Sequence, residues 1–73
     1  MRSLHRLRCG ERGKVNCINC KGPLRRRIMD MGITKGTTIE VKRIAPFGDP
    51  IEICVRGYKL SIRKKEAENI ILE

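Results

Sequence analysis

The stretch Ala45-Pro46-Phe47-Gly48-Asp49-Pro50-Ile51-Glu52-Ile53-Cys54-Val55-Arg56-Gly57-Tyr58-Lys59-Leu60-Ser61-Ile62 decides the fold. Ile51, Ile53 and Val55 alternate with Glu52 and Cys54, and Tyr58, Leu60 and Ile62 alternate with Lys59 and Ser61, the period of half-buried strands. Between the two runs, Arg56-Gly57 suits a two-residue hairpin turn. Pairing Val55 with Tyr58, Ile53 with Leu60 and Ile51 with Ile62 keeps all six apolar side chains on one face and sends Cys54 to the other. A slip by one position would turn the whole apolar set to solvent, so the register is well specified.

Working outward, Thr38 to Ile44 reads as another half-buried strand, with Ile39 and Val41 inward and Glu40 and Lys42 outward, entered from a turn at Lys35-Gly36. Pro23 suits a first helical position, and Leu24, Ile28 and Met31 fall on one face of the short amphipathic helix it opens. Gly32 can close that helix in a left-handed conformation, with Ile33 returning to touch Ile28. Lys14 to Asn19 reads as a first strand, but Val15 and Ile18 break strict alternation, which predicts a bulge. Ser3 to Leu7 suits a helical turn, Lys64 to Glu68 another, and Ile70 to Leu72 a closing strand. The expected fold is mainly β: a small, partly open SH3-like barrel, with a helix inserted after the first strand and a helical turn before the last.

A chain of 73 residues supports one core, so residues 1–73 are expected to form a single domain. Lys and Arg number 17 against 8 Asp and Glu, a formal net charge of +9 that attracts acidic surfaces. The run Ile70-Ile71-Leu72 falls far short of the roughly 20 residues that span a bilayer, so contact with a membrane is expected only through a partner. No apolar signal segment precedes Cys9, Cys17, Cys20 and Cys54, which predicts reduced thiols in a cytoplasmic protein.

Catalysis requires a nucleophile or an acid-base pair held in a pocket, whereas the only histidine is His5, near a terminus, and no paired carboxylates share a predicted face. No enzyme is expected. Gly10 and Gly13 lead into a strand rather than a helix, so they do not form a phosphate-binding loop. Cys17-Ile18-Asn19-Cys20-Lys21-Gly22 has the Cys-x-x-Cys spacing of half a metal site, able to hold iron or zinc between two thiolates. Completing that site would take further ligands from Cys9, Cys54 or His5, and the competing reading is that the thiols are structural. No cofactor is required otherwise.

Arg25, Arg26 and Arg27 lie in the first helical turn, where each cation opposes the helix dipole by about 0.3–1 kcal/mol. They do not serve helix stability, which leaves stems lying over apolar surface or an acid-seeking patch. Phe47, between Pro46 and Gly48 and close to Asp49-Pro50, occupies a stiff loop. It either plugs the barrel mouth or stands out as an anchor for a partner. With only Phe47 and Tyr58 as aromatics, base stacking has little to work with and nucleic acid is not an expected partner.

The chain resembles the FeoA family, small cytosolic accessory proteins of bacterial and archaeal ferrous iron uptake. The resemblance rests on Leu4, Leu7, Gly10 and Val15, and on Leu24-Arg25-Arg26-Arg27-Ile28-Met29-Asp30-Met31-Gly32 followed by Gly36. It continues through Ala45-Pro46-Phe47-Gly48-Asp49-Pro50-Ile51 and closes with Gly57, Leu60, Arg63, Glu66-Ala67 and Ile70. It implies an SH3-like barrel without catalysis of its own, acting on the cytosolic part of a GTP-hydrolysing ferrous iron permease (FeoB-like). A related fold closes iron-dependent repressors, but this chain has no room for their helix-turn-helix. The family pattern does not require the cysteines. Partner contacts are expected at Arg25, Arg26, Arg27, Pro46, Phe47, Asp49 and Pro50. The alternatives are a metal-binding or metal-sensing module built on Cys17 and Cys20, and a basic nucleic-acid-binding barrel.

Overall fold

In the computed structural model, which describes residues 2–73, the chain runs β1 (Arg2–Ser3), a 3-10 turn at Leu4–Arg6, β2 (Arg12–Ile18) and α1 (Pro23–Asp30). It continues through β3 (Thr38–Ile44), a 3-10 turn at Pro46–Gly48, β4 (Ile51–Val55), β5 (Tyr58–Ile62), α2 (Lys64–Ala67) and β6 (Ile70–Leu72). The strands form one antiparallel sheet in the order β1-β6-β2-β3-β4-β5. This is the mainly-β, SH3-like architecture expected, with α1 after the β2 strand and the α2 turn before β6.

The hairpin has the expected register, Val55 opposite Tyr58, Ile53 opposite Leu60 and Ile51 opposite Ile62. Its turn residues Arg56 (φ 52°) and Gly57 (φ 84°) are both left-handed, as a turn matched to the strand twist requires. Cys54 lies opposite Lys59 and Glu40, off the core. Tyr58 departs from expectation: it is 74% exposed although its position faces inward. The cause is its place at the hairpin end of an outermost strand, where among the described residues β4 lies on one side and no strand on the other.

Strand β2 begins two residues earlier than the alternation indicates, at Arg12, because its first half pairs with β3 at Glu40, Ile39 and Thr38. Its second half pairs with β6, and the register shifts between Val15 and Cys17, the bulge expected from the broken alternation. Gly13 sits where the sheet curls: a Cβ there would come within 2.5 Å of Leu72 Cδ1. A methyl there would have to push aside the Leu72 side chain, which is fully buried.

One apolar cluster joins every layer, from Leu4 and Leu7 through Val15, Ile18, Ile39, Val41, Ile51, Ile53, Val55 and Ile62 to Ala67, Ile70 and Leu72. Ile28 from α1 and Ile33 after it are fully buried in the same cluster, each burial contributing about 1.5–3 kcal/mol. Leu24, Met31 and Leu60 pack half-buried against it. The helix closes at Gly32 (φ 86°), whose N–H donates to the Met29 carbonyl at 2.9 Å. Strand β1 was not legible in the sequence, since two residues carry no periodicity; it is held by β6, Arg2 opposite Leu72 and Ser3 opposite Ile71.

Candidate functional site

Between β3 and β4 the chain makes a loop whose base is tied by main-chain hydrogen bonds. The Ala45 N–H donates to the Pro50 carbonyl at 3.1 Å and the Gly48 N–H to the Ala45 carbonyl at 2.9 Å. At the tip, Phe47 has φ 69° and ψ 9°, the left-handed region that costs an L residue about 1–2 kcal/mol. Its ring is fully exposed, at 102% of the reference area. The ring therefore does not plug the barrel mouth. Pro46 and Ile44 are exposed on the same segment, while Pro50, which follows a cis peptide, is half-buried.

Asp49 is committed to the fold: its Oδ1 accepts the Lys64 N–H at 3.1 Å, satisfying a donor in the first turn of α2. Two residues on, Glu66 is only 4% exposed. Its Oε1 accepts the Arg63 N–H at 2.8 Å and its Oε2 pairs with Arg27 Nε at 2.9 Å. Glu66 is not among the site residues expected from the sequence, although a carboxylate at the third position of a helix is the usual signal of a side chain reaching back to the helix start. Together these contacts run from the Phe47 loop through α2 to α1.

The three arginines therefore do not form one free patch. Successive helical positions are about 100° apart, so neighbours leave the helix in different directions. Arg25 Nη1 donates to the Ile18 carbonyl at 2.8 Å, and Arg27 holds Glu66. Among the described residues the Arg26 side chain has no hydrogen bond or ion pair. It borders a shallow groove along α1 with Met29, which is itself 42% exposed.

The thiols are all free. Cys17 is exposed on β2 and Cys20 half-buried against the core edge. The possible further ligands lie elsewhere: Cys9 Sγ contacts the Lys42 carbonyl at 3.0 Å, Cys54 sits between Glu40 and Lys59, and His5 Nδ1 bonds Ser3 Oγ at 2.8 Å. Among the described residues no three His, Cys, Asp or Glu side chains are grouped to hold a metal ion. No helix of the described residues is long and apolar enough to cross a membrane.

A curled antiparallel sheet of six strands among the described residues, with an inserted helix and an aromatic-tipped loop tied at its base, defines a small SH3-like domain. The chain belongs to the FeoA domain family, whose model matches residues 2–73, and that family is linked to ferrous iron transport. The Fe(2+) transport protein A/Fe(2+) transporter FeoB fusion protein of Porphyromonas gingivalis is 33% identical over 70 residues, covering 96% of this chain. The chain spans 8% of that relative's length. The solution structure of a FeoA-like protein from Clostridium acetobutylicum is 44% identical with a TM-score of 0.92, covering 99% of this chain and 84% of that one. The crystal structure of Stenotrophomonas maltophilia FeoA complexed with zinc, described as a prokaryotic SH3 domain protein, covers 100% of this chain and 91% of its own. At 19% identity and a TM-score of 0.87 it speaks to the fold alone.

Proposed function

We propose that this domain is a non-enzymatic, cytoplasmic docking module for a GTP-hydrolysing ferrous iron permease, binding the permease's cytosolic part through the Phe47 loop. The observation that carries the reading is the fully exposed ring held in a left-handed backbone by a loop tied at both ends. Strain kept at an exposed aromatic has no use in the isolated fold and suits presentation to a partner. Aromatic side chains, phenylalanine among them, are enriched in the buried cores of interfaces. The fusion in Porphyromonas gingivalis, where a related segment shares a chain with an FeoB transporter, supports the choice of partner. Arg26 and the net charge of +9 would speed encounter with an acidic surface rather than set final affinity.

The test is capture of detergent-purified permease on the immobilised full chain. Phe47→Ala is expected to weaken capture by about tenfold or more, and Arg26→Glu to slow association with a smaller effect on dissociation. Unchanged affinity for the Phe47→Ala protein refutes docking through this loop.

A further inference from the structure

The hairpin that specifies the register also leaves a seam in the barrel. Strand β5 ends the sheet, and among the described residues it pairs only with β4. In a hairpin with a two-residue turn the pair next to the turn is hydrogen-bonded, so Tyr58, Leu60 and Ile62 exchange N–H and C=O groups with β4. Lys59 and Ser61 direct theirs outward, and no backbone partner meets them among the described residues. Along the same strand the inward row loses its cover step by step: Ile62 is 1% exposed, Leu60 half-buried and Tyr58 74% exposed. A free backbone edge and an uncovered apolar row therefore coincide.

The charge around this edge selects what can use it. Arg56, Lys59, Arg63 and Lys64 are exposed on or beside the strand, and β5 itself carries no acid. An edge lysine guards against pairing of bare apolar strands. A second copy of the chain would bring Lys59 and its neighbouring cations against themselves, on a molecule of net charge +9. A carboxylate opposite Lys59 turns the same guard into an attraction.

We propose that β5 is a docking edge for an extended acidic segment of a partner protein, which adds beside it as a further strand. The segment bonds the outward N–H and C=O groups of Lys59 and Ser61. It sets a carboxylate beside Lys59 and covers Tyr58 and Leu60 with the apolar residues on either side. Main-chain bonds supply affinity in such strand addition, and the alternating side chains supply specificity.

The probe is a blocked eight-residue peptide of alternating Val and Glu, titrated into the uniformly 15N-labelled full chain. The controls are a Val and Lys peptide and the Val and Glu peptide with prolines at its two central positions. The expected result is slowed exchange and shifted resonances at the Lys59 and Ser61 amides, with neither control binding comparably. Lys59→Glu is expected to weaken the acidic peptide by about tenfold and to strengthen the Val and Lys peptide. Ser61→Pro removes an outward donor without touching the bonds to β4, so it is expected to fold and to lose the peptide. Phe47→Ala is expected to bind the peptide as the parent does, which separates this edge from the permease-docking loop. No binding, perturbations confined to α1 or the Phe47 loop, or an affinity indifferent to Lys59→Glu would overturn the proposal. Should Ser61→Pro fail to fold, the parent amides and the Lys59→Glu comparison still decide.

Discussion

Replacing Phe47 by glycine is expected to stabilise the domain while removing its docking side chain. The folded ring is fully exposed, so deleting it forfeits no packing. The backbone at φ 69° costs an L residue about 1–2 kcal/mol, a strain glycine does not have. Against this, glycine's larger freedom in the unfolded chain offsets about 0.5–1 kcal/mol. The net gain spans about 0–1.5 kcal/mol, and its midpoint corresponds to a rise of about 3–6 °C in Tm for a domain of this length. Phe47→Ala is the control, because its Cβ keeps the strain and its melting point should stay near the parent's. Scanning calorimetry of the three proteins, checked by urea unfolding, gives the comparison. A loss of more than about 1 kcal/mol in Phe47→Gly would mean that the ring packs against the domain in solution, beyond the scatter of a surface substitution, and would refute the reasoning.

Other substitutions probe the joints of the fold. Glu66→Ala should lower stability by about 2–3 kcal/mol, since it strips a buried acceptor from the Arg63 N–H as well as the pairing to Arg27. Glu66→Gln, which keeps an acceptor, should lose about half as much; equal denaturant midpoints for the two variants would rule out this account. Gly13→Ala should lose about 1–3 kcal/mol by thermal melting, because the new methyl meets Leu72, a side chain with no exposed surface and little room to move. For the thiols, Cys17→Ser should change stability by under about 0.5 kcal/mol. A strong chelator should leave the parent's melting curve unmoved, and a clear drop in Tm on chelation would instead indicate a structural metal at Cys17 and Cys20.

Most of the barrel was written in the order of its residues. The alternation from Ile51 to Ile62 determined the hairpin and its register, the spacing of Leu24, Ile28 and Met31 determined α1, and the broken alternation at Val15 and Ile18 announced the bulge. These features are local, and a pleat or a helical turn repeats over a few positions that a sequence displays side by side. What depended on contacts between distant segments did not show. Strand β1 exists because β6 lies beside it, and Tyr58 is exposed because, among the described residues, no strand lies on the far side of β5 from β4. The same holds for the candidate site: three adjacent arginines looked alike in sequence, yet Arg25 is taken by the Ile18 carbonyl and Arg27 by Glu66, leaving Arg26. The sequence by itself determined which residues had a face to bury and which loop was stiff. Only the tertiary structure decided which polar groups were used up inside the molecule and which, with the ring of Phe47, were left facing out, because a hydrogen bond or an ion pair depends on distance in space rather than along the chain.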